Sequence, residues 1–223
     1  MSETGQGEMT VERFTGGAFA QNSYLVSCPR TRRAVLVDAG AGAVEAIRHA
    51  RARGLEIEQI VLTHAHLDHV DGLAEAKREL GVPVLLHPAD EPLYRSVALQ
   101  AEMFGLRMEP LPPADGTLVA GDVVRFGECA LEVRHAPGHA PGHVVLVGDG
   151  VALVGDCVFQ GSIGRTDLPG GDFQQLMRSI RSEILTLRDE TTLYPGHGPE
   201  TTVGHERVSN PFLVPNYGHG GFA

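Results

Sequence analysis

The sequence contains few cysteines, no long apolar run and no excess of positive charge. Its three cysteines are odd in number and show no CxxC spacing, which argues against a disulfide framework. No apolar stretch approaches the roughly 20 residues that span a bilayer. Residues 1–10 lack the basic and apolar regions of a signal peptide. We therefore expect a cytoplasmic protein with no membrane partner.

Acidic residues outnumber basic ones, with 28 Asp and Glu against 18 Lys and Arg and a formal net charge of -10. Such a chain has no overall field that attracts phosphate backbones, so we expect no nucleic-acid partner. Hydrophobic residues make up 42% of the 223 residues, which is enough for a sizeable core. No repeat or linker marks a boundary, so we expect one domain over residues 1–223, of unspecified oligomeric state.

The pattern of apolar runs predicts two halves that each contain strands and helices. The first half alternates strands with helices, the latter at 44–54 and 70–80. Residues 91–105 are expected to be helical, followed by an irregular segment that forms one wall of a cleft. Between residues 122 and 159, strands separated by glycine turns favour antiparallel pairing. An amphipathic helix is predicted at 172–187, and the whole suggests two packed sheets with helices outside.

Residues 63–72, THAHLDHVDG, place three histidines and two aspartates directly after a predicted buried strand. In an extended segment alternate side chains share a face, so His64 and His66 can reach one ion. Asp68 and His69 follow where the chain turns into a helix, and they can point toward a second ion. Crowded imidazoles and carboxylates are costly to bury without a partner, so this cluster predicts a metal site.

Further metal-capable side chains follow later strands, each beside a glycine that lets the backbone turn. They lie in APGHAPGH, LVGDCVF and YPGHGPETT, and the residues are His139, His143, Asp156 and His197. This succession of motifs, H-x-H-x-D-H, then P-G-H, G-D and P-G-H, resembles the metallo-β-lactamase superfamily over nearly the whole chain. The resemblance implies an α/β (α+β) fold, a four-layered αββα sandwich with metals at one end of the two sheets.

The same resemblance implies the ligand sets of two divalent metal ions. One ion would be held by His64, His66 and His139, the other by Asp68, His69 and His197, and Asp156 would bridge them. Imidazole and carboxylate ligands suit zinc first, and also iron or manganese. A hydroxide held between the two ions would be the nucleophile of a hydrolase.

Two further residues are candidates for supporting the metal ligands. Asp38, at the end of a predicted strand, can accept a hydrogen bond from a ligating imidazole and fix its tautomer, or it can be an ordinary strand-end cap. His143 shares the turn that contains His139, and it can equally be a supporting or an unrelated residue.

Within the superfamily, the segment GDCVFQGSIGRTDLPGGD is similar to that of the hydroxyacylglutathione hydrolases (glyoxalase II) and their shorter bacterial relatives. This similarity implies a small-molecule thioester substrate, with Asp68 accepting or shuttling a proton. Arg165 and Asp167 replace a Lys and a Tyr of that group, which leaves the thiol carrier open. Arg165 can bind a substrate carboxylate or form an ion pair with Asp167 or Asp172.

Three alternatives remain open. Persulfide dioxygenases of the same fold hold a single iron through residues that match His64, His139 and Asp156, and they share the G-R-T-D turn. A lactonase or phosphodiesterase would use the same metal pair. A metal-binding module without activity would use the ligands only as a structural clamp.

Overall fold

The computed structural model describes residues 9–214, which form two six-stranded sheets and a small separate hairpin. The first sheet has the order β1-β2-β3-β4-β5-β6, the second the order β14-β13-β10-β9-β8-β7, and the hairpin joins β11 to β12. The strands are β1 (Thr10–Gly16), β2 (Gln21–Ser27), β3 (Arg33–Val37), β4 (Glu56–Val61), β5 (Val84–Leu86), β6 (Gly116–Thr117), β7 (Val123–Phe126), β8 (Cys129–His135), β9 (Val144–Val147), β10 (Val151–Gly155), β11 (Val158–Phe159), β12 (Ser162–Ile163), β13 (Thr192–Pro195) and β14 (Thr201–Thr202).

Helices cover the outer face of each sheet. Their apolar residues join two outer core clusters, one on the first sheet and one on the second. The helices are α1 (Ala43–Ala52), α2 (Leu67–Val70), α3 (Leu73–Leu80), α4 (Glu91–Arg95), α5 (Val97–Met103), α6 (Phe173–Ser179) and α7 (Val203–Ser209), with a 3₁₀ turn at Pro88–Asp90 and a π-helical turn at Ile180–Ile184.

Neighbouring residues of the first sheet enter different layers, because successive side chains of a strand point to opposite faces. Leu36 of β3 packs in the cluster under α1 and α3, whereas Val35 and Val37 pack in the cluster between the two sheets. Leu131 and Val133 of β8 enter that central cluster from the second sheet. These three apolar layers produce four layers of secondary structure, so the predicted αββα sandwich is confirmed.

The predicted helices are shorter than the sequence indicated. The helix predicted over 91–105 is interrupted at Ser96, where the side-chain hydroxyl donates to Leu93 O. The helix predicted over 172–187 begins as expected, with Asp172 Oδ1 accepting from Gln175 N at 2.8 Å, but it changes to a π-helical turn after Ser179. In the range 9–214, no helix has both the length and the apolar character that a membrane span requires.

Strand direction brings the functional loops together. β3, β4 and β5 run parallel in the first sheet, and β10 runs parallel to β13 in the second. The carboxyl ends of parallel strands lie at one edge of a sheet, so the segments that follow β3, β4, β10 and β13 meet at one end of the sandwich. The two sheets are joined there by a hydrogen bond from Val144 N to Thr63 O at 2.8 Å.

Candidate metal centre

The loop after β4 and the loop after β8 contribute the first group of convergent nitrogens. His64 Nε2 lies 3.2 Å from His139 Nε2, and His66 Nδ1 lies 2.8 Å from the same atom. All three imidazoles are buried and offer ring nitrogens within 4.8 Å of one another. This spacing lets three nitrogen atoms face a single small volume, as a metal ion requires.

A second group lies beside the first. His197 Nε2 is 3.0 Å from Asp68 Oδ2, and His69 Nε2 is 3.9 Å from that oxygen. Asp68 and His69 belong to α2. The His69 ring nevertheless lies close to that of His64, with centroids 4.0 Å apart, and His64, His69 and Asp156 also form a possible ligand set.

Asp156 lies between the two groups, at the end of β10. Its Oδ1 is 3.3 Å from His69 Nε2, and its Oδ2 is 3.5 Å from His139 Nε2 and 3.6 Å from His197 Nε2. One carboxylate thus faces imidazoles of both groups, which is the placement expected of a bridging ligand. A Cβ at Gly196 would collide with Asp156 Oδ1, so the glycine of the second P-G-H turn makes room for this carboxylate.

Hydrogen bonds on Nδ1 leave Nε2 as the free nitrogen of four histidines in the cluster. When Nδ1 donates to an oxygen, the neutral ring carries its lone pair on Nε2, the atom that points into the cluster. His66 differs, because its Nδ1 is the nitrogen that faces His139. The Nδ1 acceptors are Thr63 Oγ1 for His64, Asp38 Oδ2 for His69, Arg165 O for His139 and Phe19 O for His197.

Burial and neighbouring charges divide the protonation states of the cluster. Burial, followed by the nearby imidazoles, lowers the pKa of His64 and lowers that of His66 to about 3, so both rings are neutral. Burial acts against ionisation of Asp156, but His69, His139 and His197 outweigh it and lower the pKa of this carboxyl. Burial likewise opposes protonation of His69, but the surrounding carboxylates, Asp156 first, raise its pKa.

The residues of the cluster fit a pair of cations. Neutral imidazoles and ionised carboxylates are the forms that bind metals, so His69, whose pKa is raised, would release a proton when a cation binds. Within residues 9–214, three buried side-chain atoms have no hydrogen-bond partner, His66 Nε2, His69 Nε2 and Asp156 Oδ1, and all three belong to this cluster. Buried polar atoms are rarely left unpaired in folded proteins. Bound cations would give the two imidazole nitrogens the partners that they lack and would offset the negative charge of Asp156.

Asp38 supports the cluster from below. Its Oδ2 accepts from His69 Nδ1 at 2.8 Å and from Thr63 Oγ1 at 2.8 Å, while its Oδ1 accepts from Thr63 N at 2.7 Å. The backbone of Asp38 has a φ of 56°, a left-handed conformation that aims this side chain at the loop after β4. Of the two interpretations that the sequence left open, the structure therefore places Asp38 as the partner of an imidazole.

His143 lies behind the first group and faces no open volume. Its ring is stacked on His64 with centroids 4.8 Å apart, and its Nε2 accepts from Asp156 N at 3.0 Å. Cys157 Sγ lies 3.4 Å from the other ring nitrogen. His143 thus fixes the backbone at Asp156 and the plane of the His64 ring, which is a supporting position.

Asp90 was not singled out by its sequence, yet it joins two of the loops that carry the cluster. It is fully buried, its Oδ2 accepts from Ala65 N at 3.0 Å, and its Oδ1 accepts from Gly142 N at 2.5 Å. Ala65 lies between His64 and His66, and Gly142 belongs to the turn after His139. Nothing in the local sequence indicates the contacts of Asp90 with these two loops, so only the folded structure identifies this role.

The cluster opens into a cavity of about 190 Å³, here called the metal pocket. Phe19 and Phe104 meet edge to face across its mouth, with ring centroids 5.3 Å apart. Arg165 also lines the pocket, but its guanidinium forms a two-bonded ion pair with Asp167, with both distances 2.7 Å. The ion-pair alternative for Arg165 is therefore the one present.

Comparison with known proteins agrees with this geometry. The sequence profile of the metallo-β-lactamase superfamily matches residues 16–197. The chain is 36% identical to the hydroxyacylglutathione hydrolase GloC of Haemophilus influenzae over 92% of this chain and 98% of that enzyme. TTHA1623, solved in a di-iron-bound form, is 40% identical with a TM-score of 0.83, over 91% of this chain and 100% of that one. BLEG-1, a B3 metallo-β-lactamase, is 33% identical with a TM-score of 0.85, over 92% and 100%.

The profile match spans all seven clustered side chains, from the first histidine after β4 to the last after β13. The fold of the chain agrees with that of these two solved structures. This chain belongs to the metallo-β-lactamase superfamily.

Proposed function

We propose that this protein is a binuclear metal-dependent hydrolase that cleaves a small-molecule thioester, with an acylglutathione as the first substrate to test. The observation that carries the thioester assignment is the similarity to GloC, which extends over 98% of that enzyme's length. Five of the seven side chains of the metal centre line a cavity open to solvent, which suits a small substrate.

In this proposal His64, His66 and His139 would hold one cation, Asp68, His69 and His197 would hold the other, and Asp156 would serve both. When bound, the ions would polarise the thioester carbonyl and lower the pKa of a water molecule. Zinc suits this mixed nitrogen and oxygen set. Iron is the alternative, supported by the di-iron form of TTHA1623.

Asp68 is the base that the chain itself supplies. Its side chain is partly exposed toward the metal pocket, and its Oδ2 lies 3.0 Å from His197 Nε2. Burial opposes ionisation, but His69 and His197 outweigh it and lower the pKa of the carboxyl, so Asp68 is held in its ionised form. Water attacks the acyl carbon, the C–S bond breaks, and Asp68 transfers the proton of the water toward the departing sulfur.

The thiolate leaving group needs little assistance from protein side chains. A thiol has a pKa of about 8.5, so the thiolate can leave without a strong general acid. Phe19, Phe104 and Leu168 provide the apolar part of the pocket wall and exclude bulk water from the reacting carbonyl. The products are a carboxylic acid and the free thiol, which balances the hydrolysis.

The test is an assay of the purified protein loaded with zinc, iron or manganese in turn. We expect release of free thiol from an acylglutathione, two metal equivalents per chain, and no oxygen uptake with glutathione persulfide. Oxygen consumption with one iron per chain would instead identify a persulfide dioxygenase. Turnover of a lactone or phosphodiester without thioester cleavage, or a loaded protein inert to every substrate, would contradict the proposal.

A further inference from the structure

A second cavity of about 380 Å³ adjoins the metal pocket and is here called the outer pocket. Phe19 and Leu67 line both cavities, so these two side chains form the boundary between them. The outer pocket lies between α3 and the segment that follows α5. The Arg78–Glu109 ion pair, with Nη1 and Oε2 2.6 Å apart, holds that segment against α3.

The sizes of the two cavities indicate that a substrate extends beyond the metals. Pockets that enclose a small-molecule ligand typically have volumes of about 300 Å³ or more. The metal pocket, at about 190 Å³, has room for a thioester and a short acyl group but not for a peptide-sized thiol carrier. The adjoining outer pocket supplies the missing volume on the far side of Phe19 and Leu67.

The outer pocket contains charges of both signs that form no salt bridge. Asp71 and Glu75 are one helical turn apart on one wall, and Arg107 lies on another. Within the described residues, none of these three side chains forms a salt bridge, whereas Arg78 and Glu109 neutralise each other. Gly17, at the tip of the hairpin between β1 and β2, has no side chain to cover the nearby Asp71 carboxylate.

This set of charges selects one chemical class of carrier. One guanidinium and two carboxylates without salt bridges complement a zwitterion that carries one carboxylate and one ammonium group. A carrier rich in phosphate would instead meet Asp71 and Glu75, and the repulsion would disfavour it.

We propose that the outer pocket binds the zwitterionic α-amino-acid end of the thiol carrier, with its carboxylate on Arg107 and its ammonium group between Asp71 and Glu75. The inference rests on the proposed thioesterase function. The thioester then lies across Phe19 and Leu67, and the acyl group faces the metal centre. Arg107 and Glu75 act in carrier binding and take no part in the chemical step.

The test compares two thioesters of the same acyl group, one of glutathione and one of N-acetylcysteamine, which lacks the amino-acid end. We expect Arg107→Gln and Glu75→Gln each to raise the KM for the glutathione thioester about tenfold, the loss of one charged hydrogen bond, with kcat retained. Neither change is expected to alter turnover of the short thioester. Arg181→Gln, on the π-helical turn, removes an exposed charge outside both pockets and serves as the matched control.

A third substrate isolates the ammonium group. Acetylation of the α-amino group of the glutathione thioester should raise the wild-type KM about tenfold and leave that of Glu75→Gln unchanged. If the variants have the same KM and kcat as the wild type for all three thioesters, this inference is overturned but the proposed function is not. A wild-type protein inactive toward both original thioesters would overturn the proposed function, and this inference with it.

Discussion

Beneath the metal pocket, in the part here called the floor, His64, His69 and His143 have no solvent exposure, whereas in the outer wall Phe104 is 53% exposed. Hydrogen bonds fix the floor residues on the side away from the cluster. The outer wall depends instead on few contacts, such as the edge-to-face pair of Phe19 and Phe104.

This difference separates two roles within one cleft. A metal centre requires ligand atoms held within a few tenths of an ångström, which buried and mutually bonded side chains provide. A substrate wall must admit and release ligands, and exposed side chains with few contacts permit such movement. Changes in the floor should therefore affect metal binding and catalysis, and changes in the wall should affect substrate affinity.

The largest effect is expected from His66→Ala, a change in the floor. It removes one nitrogen from the first group, so thioester turnover should fall at least about a thousandfold while the protein still folds. The measurement is kcat/KM beside the circular dichroism spectrum. His205→Ala, on the exposed surface of α7, is the control. Unchanged thioester turnover would remove His66 from the set of metal ligands.

The next largest effect is expected on the pH dependence of stability, through Asp90. This residue joins two of the loops that carry the metal ligands. Burial raises the pKa of its carboxyl to about 6, above the value of about 3.9 in an unfolded chain. The folded state therefore holds this proton more tightly, so the stability contributed by protonation is complete below about pH 4 and is lost as the pH rises through 6. Two pKa units correspond to about 3 kcal/mol.

Denaturant unfolding of the metal-free protein at pH 4 and pH 7 measures this contribution. From pH 4 to pH 7, the free energy of unfolding of the wild type should fall by about 3 kcal/mol more than that of Asp90→Asn. Parallel pH profiles for the two proteins would show that the carboxyl titrates as it does in the unfolded chain.

A smaller effect is expected from Asp38→Asn, which keeps the shape of the side chain but removes its charge. Because Asp38 accepts the Nδ1 proton of His69, the change should weaken metal affinity about 10- to 100-fold. Competition with a coloured chelator measures this affinity. Asp149→Asn changes an exposed carboxylate that pairs with Arg188 and should leave it unaltered. Equal affinities for all three proteins would mean that Asp38 is only a strand-end cap.

The smallest effect is expected from Phe104→Ala in the outer wall. Since this ring is half exposed, its removal should change the free energy of unfolding by less than about 1 kcal/mol. Loss of its contact with Phe19 should raise the KM about threefold, with kcat retained, as expected for an exposed apolar contact. A drop in kcat at constant KM would contradict the division between floor and wall.

The sequence predicted the αββα fold and brought forward all seven clustered residues, because short-range patterns carry both. Strand and helix periodicity defines the layers, and four of the candidate ligands follow one apolar strand within a few residues. The other three, His139, Asp156 and His197, each come directly after a glycine.

The remaining features depend on contacts between distant segments. Asp90 meets Ala65 and Gly142, which are 25 and 52 residues away in the chain, and nothing in its local sequence indicates either contact. The outer pocket likewise requires the segment after α5 to fold back onto α3. The sequence left two roles for Arg165, and the position of Asp167 in the folded turn favours the ion pair.

Anomalous diffraction from crystals of the metal-loaded protein tests the central claim most directly. The account predicts two peaks at the end of the sandwich, one among His64, His66 and His139 and the other among Asp68, His69 and His197, with Asp156 in contact with both. A single peak, or no peak among these residues after loading with zinc or iron, would contradict it.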